Sequence, residues 1–286
     1  MKITKELLKE KGACAAGYRD FLKEYPVDKY PDGVEYQELL DCCAEKDFSY
    51  GSWLLGAFGK TDEVRKIDGD LIVEKGIIFA GRLEVKGCIK AGGGIEAGWG
   101  IDVGGGIEAG NGIKAGNGIK AGLGIKAGWS IRAGDGIEAG WGIDVGGGIE
   151  AGFGIKADES IRAGLGIKAG YGIEAGWGIE AGNGIKAGNG IKAGLGIKAG
   201  DGIEAGWGID AGNGIKAGLG IKAGLGIKAG WSIRAGDGIE AGDEFGIYAG
   251  LHFRITNKTQ RKIIAKERPE NIMCGEFEEK KDDAVR

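Results

Sequence analysis

Along most of this chain one apolar residue returns at every sixth position. Ile holds the phase without a break from Ile89 to Ile239, which is 26 steps. Leu83, Ile77 and Leu71 carry it three steps further back through a degenerate stretch. The unit is G-I-(K/E)-A-G-x. A period of six fits no α-helix, whose apolar face recurs every 3.6 residues. It fits short strands joined by corners. Within the unit Ile and Ala are two apart, so both point to one side of a strand and the charged residue between them to the other. Ile and Ala are expected inside, Lys or Glu in water. Val103 and Val145 replace Ala and keep the position apolar. Gly flanks each strand, where corners need φ > 0 or close approach of the next coil. One turn of such a chain buries little, so the turns are stable only as a stack.

Charge indicates how many strands close a coil. In a parallel in-register stack each residue lies over its counterpart one coil away, and opposite charges are favoured there. The residue after each Ile, from Lys90 to Glu240, is charged in all 26 units, 15 basic and 11 acidic. At a spacing of 6, 9 of 25 pairs are opposite; at 12, 16 of 24; at 18, 19 of 23; at 24, 14 of 22. Glu96 with Lys114, Asp102 with Lys120 and Glu108 with Lys126 are typical. Eighteen wins, with a flattened two-sided solenoid as the second choice. The sequence therefore predicts an all-β solenoid: a triangular parallel β-helix with three six-residue faces per coil and about ten coils, over 63–250.

The ends break the period. Glu6 to Glu24, Val34 to Ala44 and Phe48 to Phe58 carry apolar residues at helical spacing, with a turn at Tyr30-Pro-Asp-Gly. Residues 1–62 read as a small helical domain or a cap on the first coil, which an open coil needs. Residues 251–286 read as a β-hairpin cap, Phe253-Arg-Ile with Arg261-Lys-Ile-Ile-Ala, and a charged tail; Ile272-Met-Cys is a candidate third strand.

Composition narrows the classes. Gly is 63 of 286 residues and Pro only 3, which excludes collagen. A net charge of −4 gives no steering field for nucleic acid. Five Cys, with two adjacent and no C-x-x-C, read as reduced thiols. The charged N-terminus has no apolar run behind it, and no stretch spans a membrane. The expectation is a cytoplasmic protein, with no membrane contact.

Candidate chemistry is sparse. Hexapeptide acyltransferases use a His base and loop extrusions; this chain has one His, His252, beyond the last unit, and an unbroken phase. G-x-G-x-x-G across Gly104 to Gly110 has no helix behind it to hold a phosphate. Glu96, Asp102 and Glu108 fall on three different faces, so they form no cation site. The interleaved ladder gives neither the basic stripe of a DNA binder nor the acidic face of a DNA mimic. Asn111, Asn117, Asn183, Asn189 and Asn213 are scattered over the corners and make no ice-binding array. No enzyme activity and no cofactor or metal are expected.

The x position remains. It carries Trp99, Trp129, Trp141, Phe153, Tyr171, Trp177, Trp207 and Trp231, with Leu, Asn, Asp and Gly elsewhere. Mixed polarity marks an outward corner. At 18-residue spacing Phe153, Tyr171, Asn189, Trp207 and Leu225 share one edge, and Leu123, Trp141, Glu159, Trp177, Leu195, Asn213 and Trp231 another. Exposed aromatic ridges mark association surfaces, while rings folded over Gly corners would only shield backbone. Trp99, Trp141, Phe153, Tyr171, Trp177, Trp207 and Trp231 are the candidate partner-binding residues.

The Gly-Ile-Lys-Ala-Gly unit resembles that of uncharacterised hexad-repeat β-solenoid proteins of Gram-positive bacteria and their phages. Ile67-Asp-Gly-Asp-Leu-Ile-Val-Glu-Lys-Gly resembles the looser repeats of bactofilin-like right-handed β-helices, which also run on 18-residue coils. Three six-residue faces are similar to the left-handed hexapeptide-repeat helix, except that the small residue here stands two places after Ile. The hand stays open between them. The aromatic edges point to a non-enzymatic scaffold that binds a protein partner, and the likenesses add two other roles: inhibiting a bacterial defence system such as CRISPR from a phage genome, or self-association into a bactofilin-like structure or a homodimer. The compartment would be the bacterial cytoplasm, or the host's if the gene is phage-borne.

Overall fold

The structure is a computed structural model, and it describes residues 1–46, 50–251 and 258–280. Three parallel sheets wind into a solenoid of about 12 coils with roughly 18 residues per turn. Face 1 has 12 strands beginning with Val64–Ile67 (β3), and face 2 has 12 beginning with Leu71–Val73 (β4). Face 3 has ten, from Ile77–Phe79 (β5) to Ile239–Glu240. At roughly 4.8 Å per coil the rod is about 55 Å long.

The regular strands are three residues each, Ile-charge-Ala, and the register stacks like on like: Ile113 on Ile131, Lys114 on Arg132, Ala115 on Ala133. Ile and Ala fill one continuous core from Ile77 to Ala265. Each buried Ile contributes about 1.5–3 kcal/mol before entropy is counted. The charged residue lies outside, as alternation requires.

The two flanking glycines turn out to differ. None of the glycines from Gly69 to Gly246 has a left-handed backbone, so φ > 0 is not what these corners use. The Gly after Ala is required by close approach: a Cβ on Gly152 would lie 1.9 Å from the Gly134 carbonyl oxygen one coil below. The Gly before Ile is looser, since a Cβ on Gly154 would lie 3.3 Å from the Gly172 oxygen. Ser130, Ser160 and Ser232 occupy the looser position, whereas Asp158 is the one departure at the tight position after the regular unit begins at Ile89.

The N-terminal region holds four helices, Lys5–Glu10 (α1), Ala15–Glu24 (α2), Tyr36–Glu45 (α3) and Gly51–Phe58 (α4). Lys2–Ile3 (β1) pairs antiparallel with Val34–Glu35 (β2). The helical run expected from Glu6 to Glu24 is broken at Gly12 (φ 77°), and Cys14 caps α2 by accepting from the Gly17 N–H. Phe48, at the start of the third expected helix, lies outside the described residues. Tyr30–Gly33 is the expected turn, with Gly33 at φ 84° and its N–H donated to Tyr30 O. Ile3, Leu8, Phe21, Val34, Leu39, Leu40 and Leu54 form a second core, and Ala80 and Ile78 from the solenoid join it.

This region seals one edge of the solenoid. α3 packs against β5, the first strand of face 3. Gln37 Nε2 donates to Ile78 O at 2.7 Å, and its Oε1 accepts from Ala80 N–H at 3.1 Å. Gly76 N–H points at Ala44 O at the end of α3, 3.5 Å away. A helix thus supplies the partners that a further strand would have given.

The C-terminal end departs from expectation. Phe253-Arg-Ile, the first arm of the expected hairpin, lies outside the described residues, as does His252. The second arm, Lys262–Ala265, is no hairpin arm. It is a rung of face 2, parallel to Ile233–Arg234 on one side and to Glu276–Glu279 on the other. Ile272–Cys274 extends face 1, parallel to Ile247–Ala249. Ile263 and Ala265 repeat the Ile-x-Ala spacing 24 residues after Ile239, in the same six-residue phase, and both are fully buried. These rungs, with β3, account for the coils beyond the expected ten.

Candidate association surface

The corners place the x residues in three rows. The edge from face 3 to face 1 carries Trp99, Phe153, Tyr171 and Trp207; the edge from face 1 to face 2 carries Trp141, Trp177 and Trp231. The third edge carries Trp129, Leu165 and Leu219, all at least half exposed. Trp129, outside the expected set, is the most exposed of these rings at 69%.

Corner backbone is hydrogen-bonded coil to coil, as in Trp141 N–H to Leu123 O and Trp207 N–H to Asn189 O. The rings therefore leave their glycine corners paired and stand out in water. Trp141, Phe153, Tyr171, Trp177 and Trp207 are half exposed or more, and Trp231 is 38% exposed. Phe153 and Tyr171 stack one coil apart, with ring centroids at 5.2 Å and planes at 24°. Trp99 differs. Its indole N–H donates to Thr61 O at 2.9 Å and Lys60 Nζ sits 4.1 Å over the ring, so it serves the joint with the helical region.

Between the corners run the charge ladders. Glu96 pairs with Lys114 at 2.6 Å, Glu150 with Lys168 at 3.2 Å and Glu204 with Lys186 at 2.9 Å, each across one coil. The Glu180 carboxyl is held below its usual range by the hydrogen bond from Lys198, against the opposing effect of desolvation. Such exposed pairs contribute about 0–1 kcal/mol each. Their larger effect is on register, because a one-coil slip would set like charges together. From Lys90 to Glu240 the in-register pairs that are not opposite are all basic, Lys114 on Arg132, Lys168 on Lys186, and Lys198 on Lys216 on Arg234, while Glu84 on Asp102 before them is acidic.

From Ile95 to Ile239 the outward position before each Ile is Gly or Ser, so a groove runs along every face. On face 1 it extends from Asp62 to Tyr248 with a volume of about 1230 Å³, floored by glycine and flanked by the ladder. Among the described residues no cluster of His, Cys, Asp or Glu could hold a metal, all five Cys are free thiols, and no helix is long and apolar enough to cross a membrane. Comparison with protein-family models, with curated proteins and with solved structures finds no match to this chain.

Proposed function

We propose that this chain is a non-enzymatic solenoid scaffold that associates with a protein partner through its aromatic edges. The observation that carries the reading is the set of half-exposed rings on corners whose backbone is already satisfied. Aromatic rings held on a rigid frame lose little entropy on contact and suit the centre of an interface. Many ladder residues pair coil to coil within the chain, so the corners supply the main adhesion.

The bactofilin-like alternative, end-to-end growth into filaments, meets an obstacle on one sheet edge at each end. Gln37 and α3 occupy the β5 edge. At the other end Glu276–Glu279 forms an acidic edge strand, a type that resists further pairing.

The test replaces Trp141, Trp177 and Trp231 together with Ser. Affinity capture from the source cell followed by mass spectrometry should lose its enriched partner, while circular dichroism stays that of the parent. Undiminished capture by the triple variant would sink the reading.

A further inference from the structure

Face 1 carries the longest alternating charge row of the three faces. Its eight central ladder residues are Asp102, Lys120, Glu138, Lys156, Glu174, Lys192, Asp210 and Lys228, each in register with the next. The signs alternate strictly, and there is an even number of them. Reading such a row backwards inverts every sign. Laid against a reversed copy of itself, the row meets an opposite charge at all eight positions: Asp102 faces Lys228, Lys120 faces Asp210, Glu138 faces Lys192, and Lys156 faces Glu174.

Face 2 carries the same alternation over a shorter row, the six residues from Lys90 to Glu180, and then ends in three bases, Lys198, Lys216 and Arg234, that a reversed copy would leave unmatched. On face 3, Lys114–Arg132 and Lys168–Lys186 interrupt the alternation. Face 3 is also engaged at its start by Ser52, which donates to Glu96. A parallel copy on face 1 would set every charge against its own kind.

We infer that face 1 is a homodimer interface, on which a second copy of this chain packs antiparallel about a two-fold axis between Lys156 and Glu174. This rests on the reading of the corners as association surface and names the occupant. The axis passes at the height of the stacked Phe153 and Tyr171. It brings Phe153 of each copy to Tyr171 of the other, a four-ring cluster at the centre. On the opposite edge it sets Glu159 against Trp177, and one coil further out Trp141 against Leu195, of the second copy. A two-fold interface must be self-complementary, and here the charge row and the Phe153–Tyr171 edge comply. Eight coils span roughly 38 Å and a strand with its corners roughly 15–20 Å. Two such faces remove on the order of 1,200 Å² from water, at the lower end of stable interfaces. Strict alternation supplies orientation and register, and the rings at the axis supply adhesion.

Sedimentation equilibrium of the full chain should give twice the 29.6 kDa chain mass at micromolar concentration. Lys156→Glu sets like charges face to face twice per dimer and should weaken it at least tenfold. Lys156→Glu with Glu174→Lys should restore the affinity to within threefold. An effect confined to one chain would show no such rescue, because the double variant keeps as many like-charge contacts along its ladder as the single one. Lys126→Glu on face 2 is the control and should leave the dimer intact. Lys120→Cys with Asp210→Cys should give a covalent dimer on mild oxidation, with the parent protein as control for native thiols. Those positions are five coils apart in one chain, about 24 Å, so a bridge between them joins two copies. A monomeric parent, a dimer indifferent to Lys156→Glu, or bridging by Lys120→Cys alone would overturn the inference. A monomer that still loses its protein partner when the tryptophans are removed would leave the corner reading standing.

Discussion

Gly152→Ala and Gly154→Ala should behave very differently although they lie two residues apart in one corner. At Gly152 the added methyl would sit 1.9 Å from the Gly134 oxygen. That is about 1.6 Å inside the ~3.5 Å contact optimum. Relief requires the coils to part locally by more than 1 Å, on the order of a fifth of their ~4.8 Å spacing. The N–H groups of Gly152 and Phe153, bonded to Ala133 O at 3.0 Å and Asp135 O at 3.2 Å, would then lose their acceptors. Overpacking costs about 1–3 kcal/mol and each lost bond about 1 kcal/mol, together about 3–5 kcal/mol. At Gly154 the methyl would meet the Gly172 oxygen at 3.3 Å, a mild crowding. Stiffening of the unfolded chain offsets it by about 0.4–1 kcal/mol, so the net change should fall within about 1 kcal/mol of zero. A long repeat stack does not unfold in one step, so native-state hydrogen exchange is the suitable assay. With tenfold per 1.4 kcal/mol, Gly152→Ala should lower the protection of the Ile149–Ala157 amides by about a hundredfold or more. Gly154→Ala should lower it less than tenfold. Equal losses for the two variants, or protection within threefold of the parent for Gly152→Ala, would refute the close-approach account of the tight corner.

Two further outcomes follow from the helical region. Gln37→Ala strips two hydrogen bonds from the β5 edge and should destabilise the first coils and the helices by about 2–4 kcal/mol; exchange at Ile77–Phe79 reads it, and a change under 0.5 kcal/mol would contradict the edge-cap role. Burial pushes the Cys43 thiol up from its ordinary value of 9.0 to about 12, and burial likewise raises the Tyr36 and Tyr25 phenols. All three are favoured neutral in the fold, so their contribution is complete below pH 9 and is lost as pH rises from 9 towards 12. Trp53 fluorescence should report opening of the helical region in that window while the strand signal of the solenoid persists, and Cys43→Ala should move the onset upward; simultaneous loss of both signals would count against it.

Much of the solenoid was legible because a rung is a local object. Ile and Ala two apart, with Gly on each side, state which face is buried without reference to anything distant. The charges went further, because partners in the ladder are neighbours in space at a fixed offset of 18 residues. Periodicity failed where the 18-residue coil offset was lost. Ile263-Ile264-Ala265 has the rung spacing but stands 30 residues after its face 2 neighbour Ile233 instead of 18, and it read as a hairpin arm. Its parallel pairing depends on the face 2 strand that happens to end there, Ile233–Arg234. The candidate corners were also visible, but their exposure was not. Trp99 and Trp141 occupy the same position of the unit, and only the docking of Lys60 and Thr61 separates a joint residue from an open one.

What the sequence by itself determined is therefore the strand, its inside and outside, and the number of strands per coil. These follow from interactions that repeat at a constant separation along the chain. The tertiary structure alone decided why the glycines are there, how the ends are sealed, and which rings stay in water. A glycine that prevents collision with the coil below looks identical in sequence to one that permits a turn. Gln37 becomes an edge cap only when α3 lies along β5. The reversal symmetry of face 1 was present in the sequence as a string of signs, but it acquired meaning only when the fold drew those eight residues into one straight row.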